Sequence, residues 1–181
     1  MGFTSQSAAA VHATQNFSTT FTQVNGQGAS GSASLSLNPG ATSLFVQIMA
    51  TGLEAGGPHL AHIHGLFSNV TTGTPVNSRT PTLAQDSDGD GFVELAEGLA
   101  TYGPIIIDFG NIDPDLDGTI NFSRTIDLLQ SSAFSNGYNR TDLLGSDLKS
   151  LDLREIVIHG MSVAPGIGAA TRRRRSLEHA A

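Results

Sequence analysis

Short apolar–polar alternations, each closed by a turn signal, recur about every ten residues in the first part of this chain, and that spacing points to antiparallel β structure. Phe17 to Val24 alternates loosely before Gly26-Gln27-Gly28. Ser32 to Leu37 alternates serine with alanine or leucine before Asn38-Pro39-Gly40, and Ser43 to Ala50 is a more apolar third segment. Leu60 to His64, Ile105 to Phe109, Thr119 to Leu128 and Glu155 to His159 read as further strands, with short helical turns expected around Leu143 to Leu151. In a strand every second side chain shares a face, so segments of this kind supply one face to a core and one to solvent. The expected fold is an all-β antiparallel sandwich or barrel. The 181 residues include 21 glycines and only 14% charged residues, which suits one turn-rich domain with a real core and not a solvated helical bundle.

One segment departs from this pattern. Residues 86–97 read Asp-Ser-Asp-Gly-Asp-Gly-Phe-Val-Glu-Leu-Ala-Glu, a complete calcium loop of the EF-hand type. Calcium takes six to eight oxygens. Asp86, Asp88 and Asp90 stand at loop positions 1, 3 and 5, Phe92 offers its backbone carbonyl at 7, Glu94 stands at 9, and Glu97 closes the shell at 12. Gly91 at position 6 permits the sharp turn. Pro81 lies just upstream, so the usual incoming helix is not expected, whereas Val93 to Ala100 reads as a short outgoing helix. Residues 66–85 read as a long loop leading into this insertion. A second acidic run, Asp113, Asp115 and Asp117 before Gly118, repeats the opening of the motif, but Arg124 stands where its closing carboxylate would be. An acidic turn with Gly118 left-handed is the favoured reading there.

Three of the six histidines fall at 59, 62 and 64, and a fourth, His159, follows Ile156-Val157-Ile158. His62 and His64 alternate on one strand and therefore project from one face. With a third imidazole from another strand they compose an all-nitrogen set suited to copper or zinc. His59 has the opposite parity to that pair and reads as a structural residue behind the ligands. His12 and His179 lie in expected tails.

The segments Ala61-His62-Ile63-His64-Gly65 and Leu153-Arg154-Glu155-Ile156-Val157-Ile158-His159-Gly160 resemble the two signature blocks of CHRD domains, named for chordin. The resemblance covers most of residues 15–170. It takes in the inserted acidic loop, Ala96-Glu97-Gly98-Leu99 and Tyr102-Gly103-Pro104, as in a bacterial subgroup. More distantly, His59-x-x-His62-x-His64 and Arg154-x-x-x-x-His159 are similar to the copper-site blocks of Cu/Zn superoxide dismutases, which are Greek-key sandwiches. Carried over, the resemblance implies that His62, His64 and His159 are copper ligands and His59 a structural histidine. It also implies a Greek-key topology. The chain departs from that enzyme family in several ways. No histidine stands between residues 65 and 158 to bridge metals or build a zinc site, no cysteine is present for its disulfide, and its glycine-rich C-terminal segment with a guiding arginine is not recognisable.

Composition narrows the functional classes further. A net charge of −7 repels phosphate backbones and argues against nucleic acid. No apolar run reaches membrane-spanning length, and no signal peptide is visible after Met1-Gly2. The expected organisation is an N-terminal tail at 1–14, the domain at 15–170, and a C-terminal tail at 171–181 whose Arg172 to Arg175 and following residues read as partly vector-encoded. Edge strands of an open sandwich offer a route to a homo-oligomer. The expectation is a secreted, extracellular or periplasmic metal-binding protein, stabilised by calcium and holding one copper ion for binding or redox chemistry. Two alternatives stand beside it: a copper-dependent oxidoreductase of superoxide dismutase type, and a calcium-rigidified structural or adhesion module without a transition metal.

Overall fold

The computed structural model describes residues 13–162 apart from 27, 70–72, 136–142, 144, 149 and 161. The C-terminal tail and nearly all of the N-terminal one, with His12 and His179, lie outside the described residues. Among the described residues nine strands follow in chain order: β1 Gln15–Thr20, β2 Ser30–Leu37, β3 Ser43–Thr51, β4 Leu60–His64, β5 Leu66–Phe67, β6 Pro75–Val76, β7 Ile105–Asn111, β8 Ile120–Asp127 and β9 Glu155–Ile158. Helix α1 spans Leu95–Tyr102. The fold is all-β and antiparallel, with a four-stranded sheet ordered β1-β2-β3-β8, a three-stranded sheet ordered β7-β4-β9, and a small ladder of β5 with β6.

The alternation seen in sequence sets which faces are buried. Ala33, Leu35 and Leu37 of β2 and Leu44, Val46, Ile48 and Ala50 of β3 point inward, while the intervening Ser32, Ser34, Phe45, Gln47 and Met49 face outward. The β2–β3 connection closes because the Asn38 side-chain carbonyl accepts both Thr42 N–H at 2.7 Å and Ser43 N–H at 2.9 Å, an asparagine-mediated turn. Inward residues of the four-stranded sheet form one core cluster with Ala61 and Ile63 of β4 and Ile107 and Phe109 of β7. Burial of this apolar area at roughly 25 cal/mol per Å² is the main force holding the two sheets together.

Some elements differ from the sequence reading. β1 begins at Gln15 and ends at Thr20, because the Gln23 side chain accepts Gly28 N–H at 2.8 Å and donates to Ala29 carbonyl at 2.7 Å, turning the chain early. The long loop at 66–85 contains the β5–β6 ladder and a 3-10 turn at Leu83–Gln85 capped by Thr82. Strands of two residues carry too few alternations to be legible. Short helical turns do occur, at Gly145–Leu148 and Leu151–Leu153.

Candidate metal centres

β4 is the middle strand of its sheet, flanked by β7 and β9. Ala61 and Ile63 enter the core, so His62 and His64 occupy the opposite face, where they are nonetheless buried. Two register shifts against β7 shape that face. The first sets His62 opposite Asp108 and leaves Phe109 to the core, a re-aiming that bulges commonly achieve. His62 Nε2 then lies 3.3 Å from Asp108 Oδ1, which also accepts Gly110 N–H at 2.7 Å. The carboxylate beside Nε2 favours the tautomer that carries its proton there, which leaves the lone pair on Nδ1.

His64 is fixed from another direction. Its Nδ1 lies 2.8 Å from the carbonyl of Gly103, the residue that ends α1. A carbonyl only accepts, so Nδ1 carries the proton and Nε2 the lone pair. Gly103 has φ +81°, and a Cβ there would strike the Gly65 carbonyl, so only glycine lets the two segments come this close. His159 follows β9, and its N–H donates to the Leu60 carbonyl at 2.7 Å, continuing the β4–β9 ladder by one more bond.

The three rings converge. Their centroids lie 5.0 Å (His62–His159), 5.6 Å (His62–His64) and 5.8 Å (His64–His159) apart. One ligand nitrogen from each falls within 4.8 Å of the others. His62 Nδ1, His64 Nε2 and His159 Nε2 are buried and have no hydrogen-bond partner. A buried unpaired polar atom costs roughly 1–3 kcal/mol, and three such atoms belong to this one cluster. His59 shows what a packing histidine looks like in this protein. Its ring nitrogens lie 3.2 Å from the His159 carbonyl and 2.8 Å from the Glu54 carbonyl, with Asp113 Oδ2 at 3.9 Å. It therefore braces the main chain of His159 and turns neither nitrogen towards the cluster.

Burial pushes the His64 and His159 imidazoles down to about 4, and also lowers that of His62, against the pull of Asp108. All three are thus neutral near pH 7, the protonation state a metal ligand needs. The same shifts fix the pH dependence of the metal-free protein. As pH falls from 6.5 towards 4, imidazoles in the unfolded chain take up protons while the folded cluster stays neutral, so stability falls with pH across that window. The melting temperature of the metal-free protein is expected to decline from pH 6.5 to 5.5, above most carboxylate titration, and less steeply in His64→Leu. Identical slopes for the two proteins would contradict this.

The acidic loop wraps around Asp86, whose Oδ1 accepts Gly89 N–H at 2.7 Å and Asp90 N–H at 3.2 Å, and whose Oδ2 accepts Gly91 N–H at 2.8 Å. Those N–H groups, Gly91's first, hold its carboxyl below the ordinary range. Asp86, Asp88 and Glu97 bring one oxygen each within 4.8 Å of one another, as do Asp88, Asp90 and Glu94. The two sets share Asp88 and together draw on five carboxylates of the loop. Gly91 has the positive φ, +91°, that position 6 requires. Glu97 is pushed down to about 2, first by a hydrogen bond with the Glu94 side chain and then by Ser87. Carboxyls packed this closely fit a hard cation. The Asn25 side-chain amide clamps the loop to the sandwich, accepting Val93 N–H at 2.9 Å and donating to Val93 carbonyl at 3.2 Å.

Asp113, Asp115 and Asp117 do not form such a cage. Asp113 is fully buried and accepts Gly118 N–H at 2.9 Å, Asp117 instead caps Thr119 N–H at 2.7 Å, and Gly118 is left-handed at φ +77°. The sequence reading missed three residues around the histidines: Asp108, Tyr102 and Gly103. Asp108 sits opposite His62 only because of a bulge, and Gly103 acts through its carbonyl, so neither had a local signal.

Compared with known proteins, the chain matches no family model, no curated protein and no solved structure. Fold and sites together define an antiparallel β protein with a three-histidine cluster on its three-stranded sheet and an acidic loop of EF-type spacing at residues 86–97.

Proposed function

We propose that this chain is a CHRD-like metal-binding protein in which His62, His64 and His159 hold one copper ion and the 86–97 loop holds calcium. The observation that carries the reading is the set of three unpartnered, buried imidazole nitrogens on three histidines whose ligand atoms lie within 4.8 Å of one another. A packing histidine turns its ring nitrogens to polar groups of the surrounding chain, as His59 does. That contrast weighs against the purely structural alternative.

The strand order supports a superoxide dismutase-like Greek key. The chain passes from β3 in one sheet to β4 in the other, adds β7 beside β4, returns with β8 beside β3, and ends with β9 beside β4. Bound here, copper would supply one-electron exchange, with a coordination position left open by a set of three ligands. The chain's own part is to prepare the donors. The Asp108 carboxylate lies beside His62 Nε2, the Gly103 carbonyl holds the Nδ1 proton of His64, and burial keeps both rings neutral. Outer partners of this kind fix tautomer and orientation, and their loss commonly costs 10–100-fold in metal affinity.

An extracellular or periplasmic setting suits the acidic loop, because EF-type sites of extracellular modules work at roughly 10⁻⁴–10⁻³ M calcium. No described helix is long and apolar enough to cross a membrane. A homo-oligomer through the edges β1, β7, β8 or β9 remains part of the proposal. Stripped of metal and reloaded, the protein should retain one copper per chain after desalting, and a His62→Ala/His64→Ala variant should retain none. Superoxide consumption by the loaded parent, absent from the variant, would assign the oxidoreductase role. Retention without consumption would assign binding or transfer. Equal retention by parent and variant would overturn the histidine site.

A further inference from the structure

We propose that Tyr102 and Gly103 are positioning residues for His64, and that through α1 the affinity of the histidine cluster for a transition metal depends on whether the acidic loop holds calcium. The proposal rests on the two-site reading above and adds a coupling between the sites. Glu97, the closing residue of the acidic loop, is the third residue of α1. Its Oε1 accepts from Ser87 N–H at 2.8 Å and Ser87 O–H at 2.7 Å, and its Oε2 accepts from Glu94 N–H at 3.2 Å. The start of the loop and the start of the helix are thus tied to one carboxylate.

The other end of the same helix touches His64. Tyr102 is 2% exposed, and its ring centroid lies 4.4 Å from that of His64. Its hydroxyl donates to the Leu95 carbonyl at 2.8 Å, which lays the ring back along the helix. That position exists only because residue 98 is glycine: a Cβ there would run into the Tyr102 ring. The next residue, Gly103, closes the helix with its N–H on the Leu99 carbonyl at 2.9 Å and gives its own carbonyl to His64 Nδ1. An eight-residue helix is about 12 Å long and is a rigid element of the kind that can carry coupling between sites. A shift of Glu97 onto a cation is therefore delivered to the ring face and the tautomer-fixing bond of His64.

Coupling of this kind is reciprocal and is typically about 5- to 150-fold in affinity. The test is titration of the full, metal-stripped chain with copper(II) against a colorimetric competitor indifferent to calcium. It is run with calcium, with magnesium in its place, and with neither, while calcium binding is measured separately by calorimetry. Calcium should change copper affinity by at least about fivefold, alter the copper(II) paramagnetic resonance spectrum, and have its own affinity changed by the same factor when copper is present. Glu97→Gln should hold copper affinity at the calcium-free value whatever the calcium level. Tyr102→Phe keeps the ring and should weaken the coupling, and Gly98→Ala, which displaces the ring, should weaken it further. Copper affinity and spectrum unchanged by calcium, in a protein shown to bind both ions, would overturn the coupling and leave both sites standing. Failure to bind copper under any condition would remove the histidine site itself, and the coupling with it.

Discussion

His159→Leu is expected to lose tight copper binding while the metal-free variant stays as stable as the parent, or becomes more so. The ring contributes a buried nitrogen with no partner, beside two others in the same condition. Exchanging it for an apolar side chain of similar bulk removes an unsatisfied group, a change that is neutral or favourable by roughly 1 kcal/mol. Copper affinity should fall by more than the 10–100-fold that the loss of an outer partner costs. His59→Leu should behave in the opposite way. Its two ring nitrogens face the Glu54 and His159 carbonyls and its one N–H serves one of them, so its loss strands a buried acceptor and should cost roughly 1–3 kcal/mol. Urea unfolding of the two metal-free variants, with copper titrations beside it, separates ligand from brace. If His159→Leu proved the more destabilised of the two, the assignment of roles would be wrong.

Calcium removal should produce the second large effect. With free calcium near 1 mM and a dissociation constant of about 10⁻⁴ M, an ion bound only to the folded state adds about 1.4 kcal/mol. For a chain of this size that corresponds to roughly 3–6 °C in melting temperature. Excess chelator should therefore lower the melting temperature by about that amount, and calcium should restore it. Glu97→Gln should melt near the chelated parent and respond little to calcium, because the closing carboxylate is the ligand that position 12 supplies. The Asn25 clamp carries the loss beyond the loop, since it ties Val93 to the β1–β2 connection. A melting temperature indifferent to chelator would contradict a bound, stabilising ion.

The parts of this architecture legible from sequence are those written in short-range periodicity. β2 alternates serine with alanine or leucine, and the structure buries the residues that this alternation marks, whereas β3 reads only as a more apolar segment and its alternation shows in burial. The parity of His62 and His64 placed them on one face of β4, and the acidic loop carries its glycine and carboxylate spacing openly. What the sequence could not carry was long-range register. Asp108 reaches His62 through a bulge 46 residues further along the chain, a separation read directly from the numbering. The Gly103 carbonyl has no side chain to advertise it, and Tyr102 reads as an ordinary helix-end aromatic until the helix is docked. β5 and β6 were invisible because two residues make no pattern.

The central claim is that two strands bring three imidazoles to one ion. A crystal of copper-loaded protein, with diffraction data collected on both sides of the copper absorption edge, tests it most directly. The account predicts one strong anomalous peak bonded to His62 Nδ1, His64 Nε2 and His159 Nε2, absent below the edge. A peak elsewhere, or none among these rings despite copper in the crystal, would contradict it.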